Sequence, residues 1–73
     1  MFGLQERFLN NLCISGIPAT FFLVNGFQMK GTARAFDDQT ILIESTGGCQ
    51  MVFKHAISTI MPHRRVDVDL NDD

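Results

Sequence analysis

Apolar residues recur every four positions at the start of the chain. Leu4, Phe8 and Leu12 form one stripe with Leu9 and Cys13 beside it, while Gln5, Glu6, Asn10 and Asn11 fall elsewhere around the axis. A repeat near the helical period predicts an amphipathic helix over residues 4–15. Glu6 lies in the first turn, where a carboxylate favours the helix dipole. Gly16 and then Pro18 supply the stop, a glycine near the C-cap and a proline that cannot continue the helix.

Beyond Pro18 the pattern becomes that of extended chain. Residues 19–24 are β-branched and aromatic and predict a first strand. Asn25-Gly26 is a two-residue hairpin signal. Residues 27–36 predict a long second strand, with Gly31 near its middle marking a bend or bulge. Asp37-Asp38 reads as a turn. Residues 40–45 predict a third strand, Thr46-Gly47-Gly48 a tight turn, and residues 49–54 a fourth strand. His55-Ala56 breaks the pattern, and residues 57–61 form a short fifth strand closed by Pro62. A helix followed by five short, bent antiparallel strands predicts a mainly β fold, a small and partly open barrel of the SH3-like or OB-like kind. Strands four and five contain no proline and only Lys54 as a charge, so their edges are unguarded. Repeated head-to-tail pairing of such edges closes a ring.

Size strengthens the case for an assembly. A chain of 73 residues allows one small domain. Below about 70–80 residues a single core rarely supplies more than about 3–5 kcal/mol, yet this chain carries 7 Phe and 4 Met. That surplus of apolar surface predicts a partner chain. An apolar content of 45% excludes a disordered segment. No apolar run approaches the roughly 18–20 residues of a membrane helix. No basic region followed by an apolar stretch opens the chain, so the expected compartment is cytoplasmic, with Cys13 and Cys49 reduced.

The formal net charge is −2, but residues 67–73 hold four of the 8 acids. Residues 1–66 therefore carry six basic and four acidic side chains. The expected division is a folded domain over 1–66 and a short acidic, flexible tail over 67–73, with fraying after Pro62. A mildly basic body suits a nucleic-acid partner and equally suits an ordinary mixed surface.

Other chemistry is weak. Cys13, Cys49, His55 and His63 lack the close pairs of a metal site, so neither a metal nor another cofactor is expected. Asp37 and Asp38 are turn residues rather than an acid–base pair. His55 and Ser58 have no third residue to orient the imidazole, and a chain this small has no deep pocket, so no enzyme is expected. His63-Arg64-Arg65 is a small basic cluster, either a solvated segment or a nucleic-acid contact.

Three motifs in order then carry a resemblance: Leu4-Gln5-Glu6-Arg7-Phe8-Leu9-Asn10; Phe22-Leu23-Val24-Asn25-Gly26-Phe27-Gln28-Met29-Lys30-Gly31 followed by Phe36-Asp37; and Phe53-Lys54-His55-Ala56-Ile57-Ser58-Thr59. From about Leu4 to Pro62 the chain resembles the Hfq family, the bacterial branch of the Sm-like (LSm) proteins. The resemblance implies an Sm-like fold assembled into a homohexameric ring. It implies an RNA chaperone that binds single-stranded RNA and promotes pairing of small regulatory RNAs with messenger RNAs, in post-transcriptional regulation and stress response. No bond is made or broken in that role. The alternative is a structural or protein-interaction ring without chaperone activity.

The resemblance also assigns residues. On the proximal pore face, for uridine-rich strands, the matching positions are Gln5, Gln39, Lys54 and His55. Gln39 stands where many relatives carry an aromatic that stacks on a base, and stacking is worth about 1–3 kcal/mol per base, so weaker binding is expected there. Gln39 as a plain turn residue is the other reading. On the distal face, for adenine-rich strands, the matching positions are Phe22, Asn25, Gly26, Phe27, Gln28, Met29, Lys30, Gln50 and Thr59. Phe22, Phe27 and Met29 are platforms for bases on this reading and core residues on the plainer one. At the rim, Asn10 and Phe36 match, but residues 10–16 hold no Lys or Arg. Arg34 is the candidate replacement, and slow annealing despite good binding is expected.

Overall fold

The computed structural model describes residues 3–68, and the order of elements is the predicted one. Helix α1 spans Leu4–Ser15, and Gly16 closes it in the left-handed conformation, with φ 68° and its N–H donating to the Leu12 carbonyl. Strand β1 spans Ala19–Leu23, β2 Gln28–Phe36, β3 Thr40–Ser45, β4 Gly48–Phe53 and β5 Ile57–Pro62. The predicted break before β5 is a short 3₁₀ turn over Lys54–Ala56.

All strand pairs are antiparallel, and the sheet order is β4-β3-β2-β1-β5. Strand β2 is the hinge of this arrangement. Its first half, through Gly31, pairs with β1, and its second half, from Thr32, pairs with β3. Gly31 sits at the switch because nothing larger fits: a Cβ there would stand 2.6 Å from the Glu44 carbonyl oxygen. The ladder slips separately between Ala33 and Ala35, so the bend at Gly31 and the bulge at Arg34 are two adjacent features.

The buried core is small. It consists of Leu9 and Leu12 from α1, Ala19 and Phe21 from β1, Ala33 from β2, and Ile41 and Ile43 from β3. Neither edge strand contributes a fully buried residue. Instead they expose Met51 at 62%, Phe53 at 49% and Met61 at 50%. Large apolar side chains on two unpaired sheet edges are the opposite of edge protection.

Two local expectations are corrected. The β1–β2 connection is not a two-residue turn. Leu23 N–H donates to the Phe27 carbonyl at 2.8 Å, enclosing three residues, and Val24 N–H leaves the hairpin to reach the Ala56 carbonyl at 2.8 Å. Gly26 carries the positive φ of 94° that this loop needs. The chain just beyond Pro62 does not fray. His63 N–H donates to the Pro18 carbonyl at 2.9 Å, Val66 packs against the core, and Asn11 Nδ2 donates to the Asp67 carbonyl. The remainder of the acidic tail, residues 69–73, lies outside the described residues.

Candidate nucleic-acid interface

Gln5, Gln39 and Lys54 come together where the helix meets the turn after β4, and His55 follows Lys54 in that turn. Gln5 and Lys54 line one small cavity with Phe8, Leu9 and Ile41, placing the helix N-terminus beside the lysine. Lys54 N–H donates to the Gln39 carbonyl at 2.7 Å, which ties the β2–β3 turn to the same spot. Its ammonium lies 5.3 Å from the centroid of the Phe36 ring, a cation–π contact that holds the charge. His55 stacks on Phe53 with centroids 5.7 Å apart and planes 22° apart, and stays exposed. The Asp37 carboxylate shapes the turn that carries Gln39. Its Oδ1 accepts from the Thr40 hydroxyl at 2.7 Å and from the N–H groups of Thr40 and Gln39. These hydrogen bonds, the Thr40 hydroxyl first, hold the Asp37 carboxyl below its ordinary value, with a minor contribution from Lys54.

A second group gathers on the β1–β2–β5 surface. Phe22 is the cross-strand partner of both Gln28 and Thr59, so these three form one row across three strands. A register slip between Phe22 and Leu23 leaves Ser58 as an extra residue on β5, and its hydroxyl donates to the Phe22 carbonyl at 3.1 Å. Lys30 lies in the next row, opposite Thr20. Asn25 Oδ1 accepts from Phe27 N–H at 3.0 Å, and this turn lifts the Phe27 ring to 71% exposure. Met29 is differently placed, since it pairs with buried Phe21 and packs against the core. Gln50 lies on β4, at the far end of the sheet from Thr59 on β5.

The rim candidates separate. Asn10 and Phe36 line one groove together with Glu6 and Arg7. Arg7 is the cation that sequence reasoning passed over. Its three-residue spacing from Asn10 was the available signal, because it puts both on one side of the helix. Arg34 is not in that groove: its guanidinium pairs with Glu44 at 2.6 Å on the outer wall of the sheet.

Among the described residues no three His, Cys, Asp or Glu side chains cluster to hold a metal ion, and no helix is long and apolar enough to cross a membrane. Cys13 and Cys49 are both free thiols, and burial pushes the Cys13 thiol up.

The family profile described as Hfq protein matches residues 4–67. The chain belongs to the Hfq family. Among its relatives, the "RNA-binding protein Hfq" of Desulforudis audaxviator (strain MP104C) is 56% identical over 65 residues, covering 89% of this chain and 78% of the relative. The protein of the same description from Desulfitobacterium hafniense (strain DSM 10664 / DCB-2) is 52% identical over 66 residues, covering 90% and 80%. The fold matches a crystal structure of "the pleiotropic translational regulator, Hfq" with a TM-score of 0.79 and 36% identity, over 81% of this chain and 98% of that one. The α1 helix and bent five-stranded sheet are thus the Sm-like fold of the Hfq family.

Proposed function

We propose that this Hfq-family protein is an RNA chaperone that binds single-stranded RNA on two separate surfaces of a homohexameric ring. The pairing it would promote is between small regulatory RNAs and messenger RNAs in the bacterial cytoplasm. The observation that carries the reading is the division of the candidate residues into two assembled groups. Gln5 shares a cavity with Lys54, the Gln39 carbonyl accepts from Lys54 N–H, and His55 follows Lys54 in the same turn, a combination of amide, imidazole and ammonium groups suited to base edges and phosphate. Phe22, Gln28 and Thr59 share one cross-strand row beside the raised Phe27 ring, a surface suited to stacked bases. Uridine-rich strands belong to the first group and adenine-rich strands to the second.

The exposed edges support the ring reading. Pairing β4 of one subunit with β5 of the next covers Met51, Phe53 and Met61 and repeats head to tail. It also joins the strand that carries Gln50 to the strand that carries Thr59, which lie at opposite ends of the sheet in one chain. Six copies of Lys54 around a pore concentrate positive charge in a protein of net charge −2.

The test is a paired anisotropy titration with short oligo-adenine and oligo-uridine RNAs at one fixed salt. Phe22→Ala should weaken only the adenine strand, by about 1–3 kcal/mol if one base loses its platform. Lys54→Ala should weaken only the uridine strand. Loss of both strands in either variant, with the ring intact by sedimentation, would refute separate faces. A wild-type protein that binds neither RNA in the micromolar range would favour the protein-interaction ring.

A further inference from the structure

A third polar surface borders the second group at Lys30. It is a broad, open groove on the outer wall of the sheet, lined by Pro18, Lys30, Arg34, Glu44, Thr46 and His63. Its floor is the point where β2 passes from one partner strand to the other, and Gly31 lies in it. One wall is the segment just beyond Pro62. That segment is anchored, since His63 N–H donates to the Pro18 carbonyl at 2.9 Å and the His63 ring, through Nε2, lies 2.9 Å from the Thr20 hydroxyl. Thr20 is only 3% exposed, so the imidazole is held against a buried group. The next two residues, Arg64 and Arg65, are exposed.

The groove's charge balance favours an anion. Its lining holds the two cations Lys30 and Arg34 against the single carboxylate of Glu44, which Arg34 already engages at 2.6 Å. Hydroxyl groups and an imidazole complete a lining of hydrogen-bond donors without an aromatic platform. That set recognises phosphate and carries no base preference. The groove also has a direction. Lys30 stands two residues along β2 from Gln28, on the same side of the strand, so the groove continues the row that contains Phe22.

We propose that this groove is a phosphate-backbone track for single-stranded RNA, leading the strand from the Phe22–Gln28–Thr59 row over the outer wall toward His63-Arg64-Arg65. The track rests on the adenine-face reading given above. It adds affinity that grows with strand length and not with sequence.

The two members of the Arg34–Glu44 pair make the test. Anisotropy titrations of the full chain would compare a short oligo-adenine with one several times longer, and the readout is the ratio of the two affinities across a salt series. Glu44→Gln removes the competing carboxylate, so the ratio should rise and the salt dependence for the longer strand should steepen. Arg34→Gln removes the cation and leaves the carboxylate, so the ratio should fall. Each additional phosphate neutralised steepens the single-strand slope by about 0.7, roughly 2.6-fold in affinity between about 50 and about 200 mM salt, and each one released flattens it equally. Both variants break the same exposed ion pair, so a merely structural role moves the ratio in one direction for both. Movement in the same direction, or no movement, would overturn the track. Asp38→Asn removes one negative charge outside the groove and should leave the ratio unchanged, and a rise equal to that of Glu44→Gln would also overturn it. A wild-type protein that binds the short strand but holds the long one no more tightly overturns the track alone. One that fails to bind the short strand overturns the adenine-face reading itself.

Discussion

Replacing Gly31 by alanine tests whether the hinge of the sheet is set by sterics. A Cβ at Gly31 would lie 2.6 Å from the Glu44 carbonyl oxygen and 2.8 Å from Ile43 Cγ2. Comfortable carbon contacts lie near 3.5–4.0 Å, so the overlap is roughly an ångström on both sides. Neither neighbour can retreat easily. Glu44 is clamped to Thr32 in the β2–β3 ladder, and Ile43 is 1% exposed in the core. Overpacking of this kind costs about 1–3 kcal/mol, and a backbone obstruction argues for the upper part of that range. Against it stands a gain of about 0.4–1 kcal/mol from the stiffer unfolded chain. The expected net loss is about 1–2 kcal/mol, a fall in Tm of about 4–8 °C for each kcal/mol in a domain of this size. Urea or thermal denaturation at one fixed protein concentration measures it, because assembly makes stability concentration-dependent. Gly47→Ala is the control. Its nearest neighbour, Ser45 Oγ, is 4.0 Å from the added carbon, so it should be neutral or slightly stabilising. If Gly31→Ala falls within about 0.5 kcal/mol of Gly47→Ala, the range of ordinary surface changes, the steric account of the bend is wrong.

Two further outcomes follow from contacts already described. The Asp37 carboxyl is held below its ordinary value by the Thr40 hydroxyl and the two turn N–H groups, so its contribution to stability is present above the unfolded value, about 3.9. It is lost as pH falls through the lowered folded value. Denaturation of the wild type and Asp37→Ala from neutral to acid pH should show a gap that closes on acidification, and a gap independent of pH would contradict this. Ending the chain after Pro62 removes the His63 contacts of buried Thr20 and the packing of Val66. An unsatisfied buried hydroxyl costs about 1–3 kcal/mol and a partly buried valine about 1 kcal/mol more, so a loss of about 2–4 kcal/mol in urea denaturation is expected, and an unchanged midpoint would show the segment to be dispensable.

The parts of the fold that were legible in the sequence are those decided by neighbours along the chain. The helix could be read because its apolar stripe lies within one element, and Leu9 and Leu12 are indeed buried at 1% and 0%. Gly16 ends it by a local rule. Where a feature depends on a partner far along the chain, local signals point at it without resolving it. Gly31 signals a bend, but only the approach of Glu44 explains why a glycine is required there. Asn25-Gly26 signals a turn, but Val24 is drawn out of the hairpin by Ala56, a contact no local pattern contains. The acidic composition beyond Pro62 suggests fraying, and the opposing facts are Pro18, Thr20 and Asn11, all more than forty positions away.

The candidate site obeys the same division. Alternation along a strand puts Phe27 and Met29 on one side, and so gives both the same role. In the folded chain β2 begins at Gln28, Phe27 belongs to the loop, and the shared parity fails: Phe27 is 71% exposed while Met29 packs against the core. Phe22 meets Gln28 through a hairpin, which register can supply, but it meets Thr59 only because Ser58 is an extra residue on β5. Gln50 and Thr59 stand on the two strands at opposite ends of the sheet. On the ring reading those two strands meet only between subunits, so any contact between the two residues is a property of two chains. The surplus of apolar residues foretells that second chain. Met51, Phe53 and Met61 show where it would sit, along the same two edges. On the ring reading, the contact that covers these side chains also joins the two strands that carry Gln50 and Thr59.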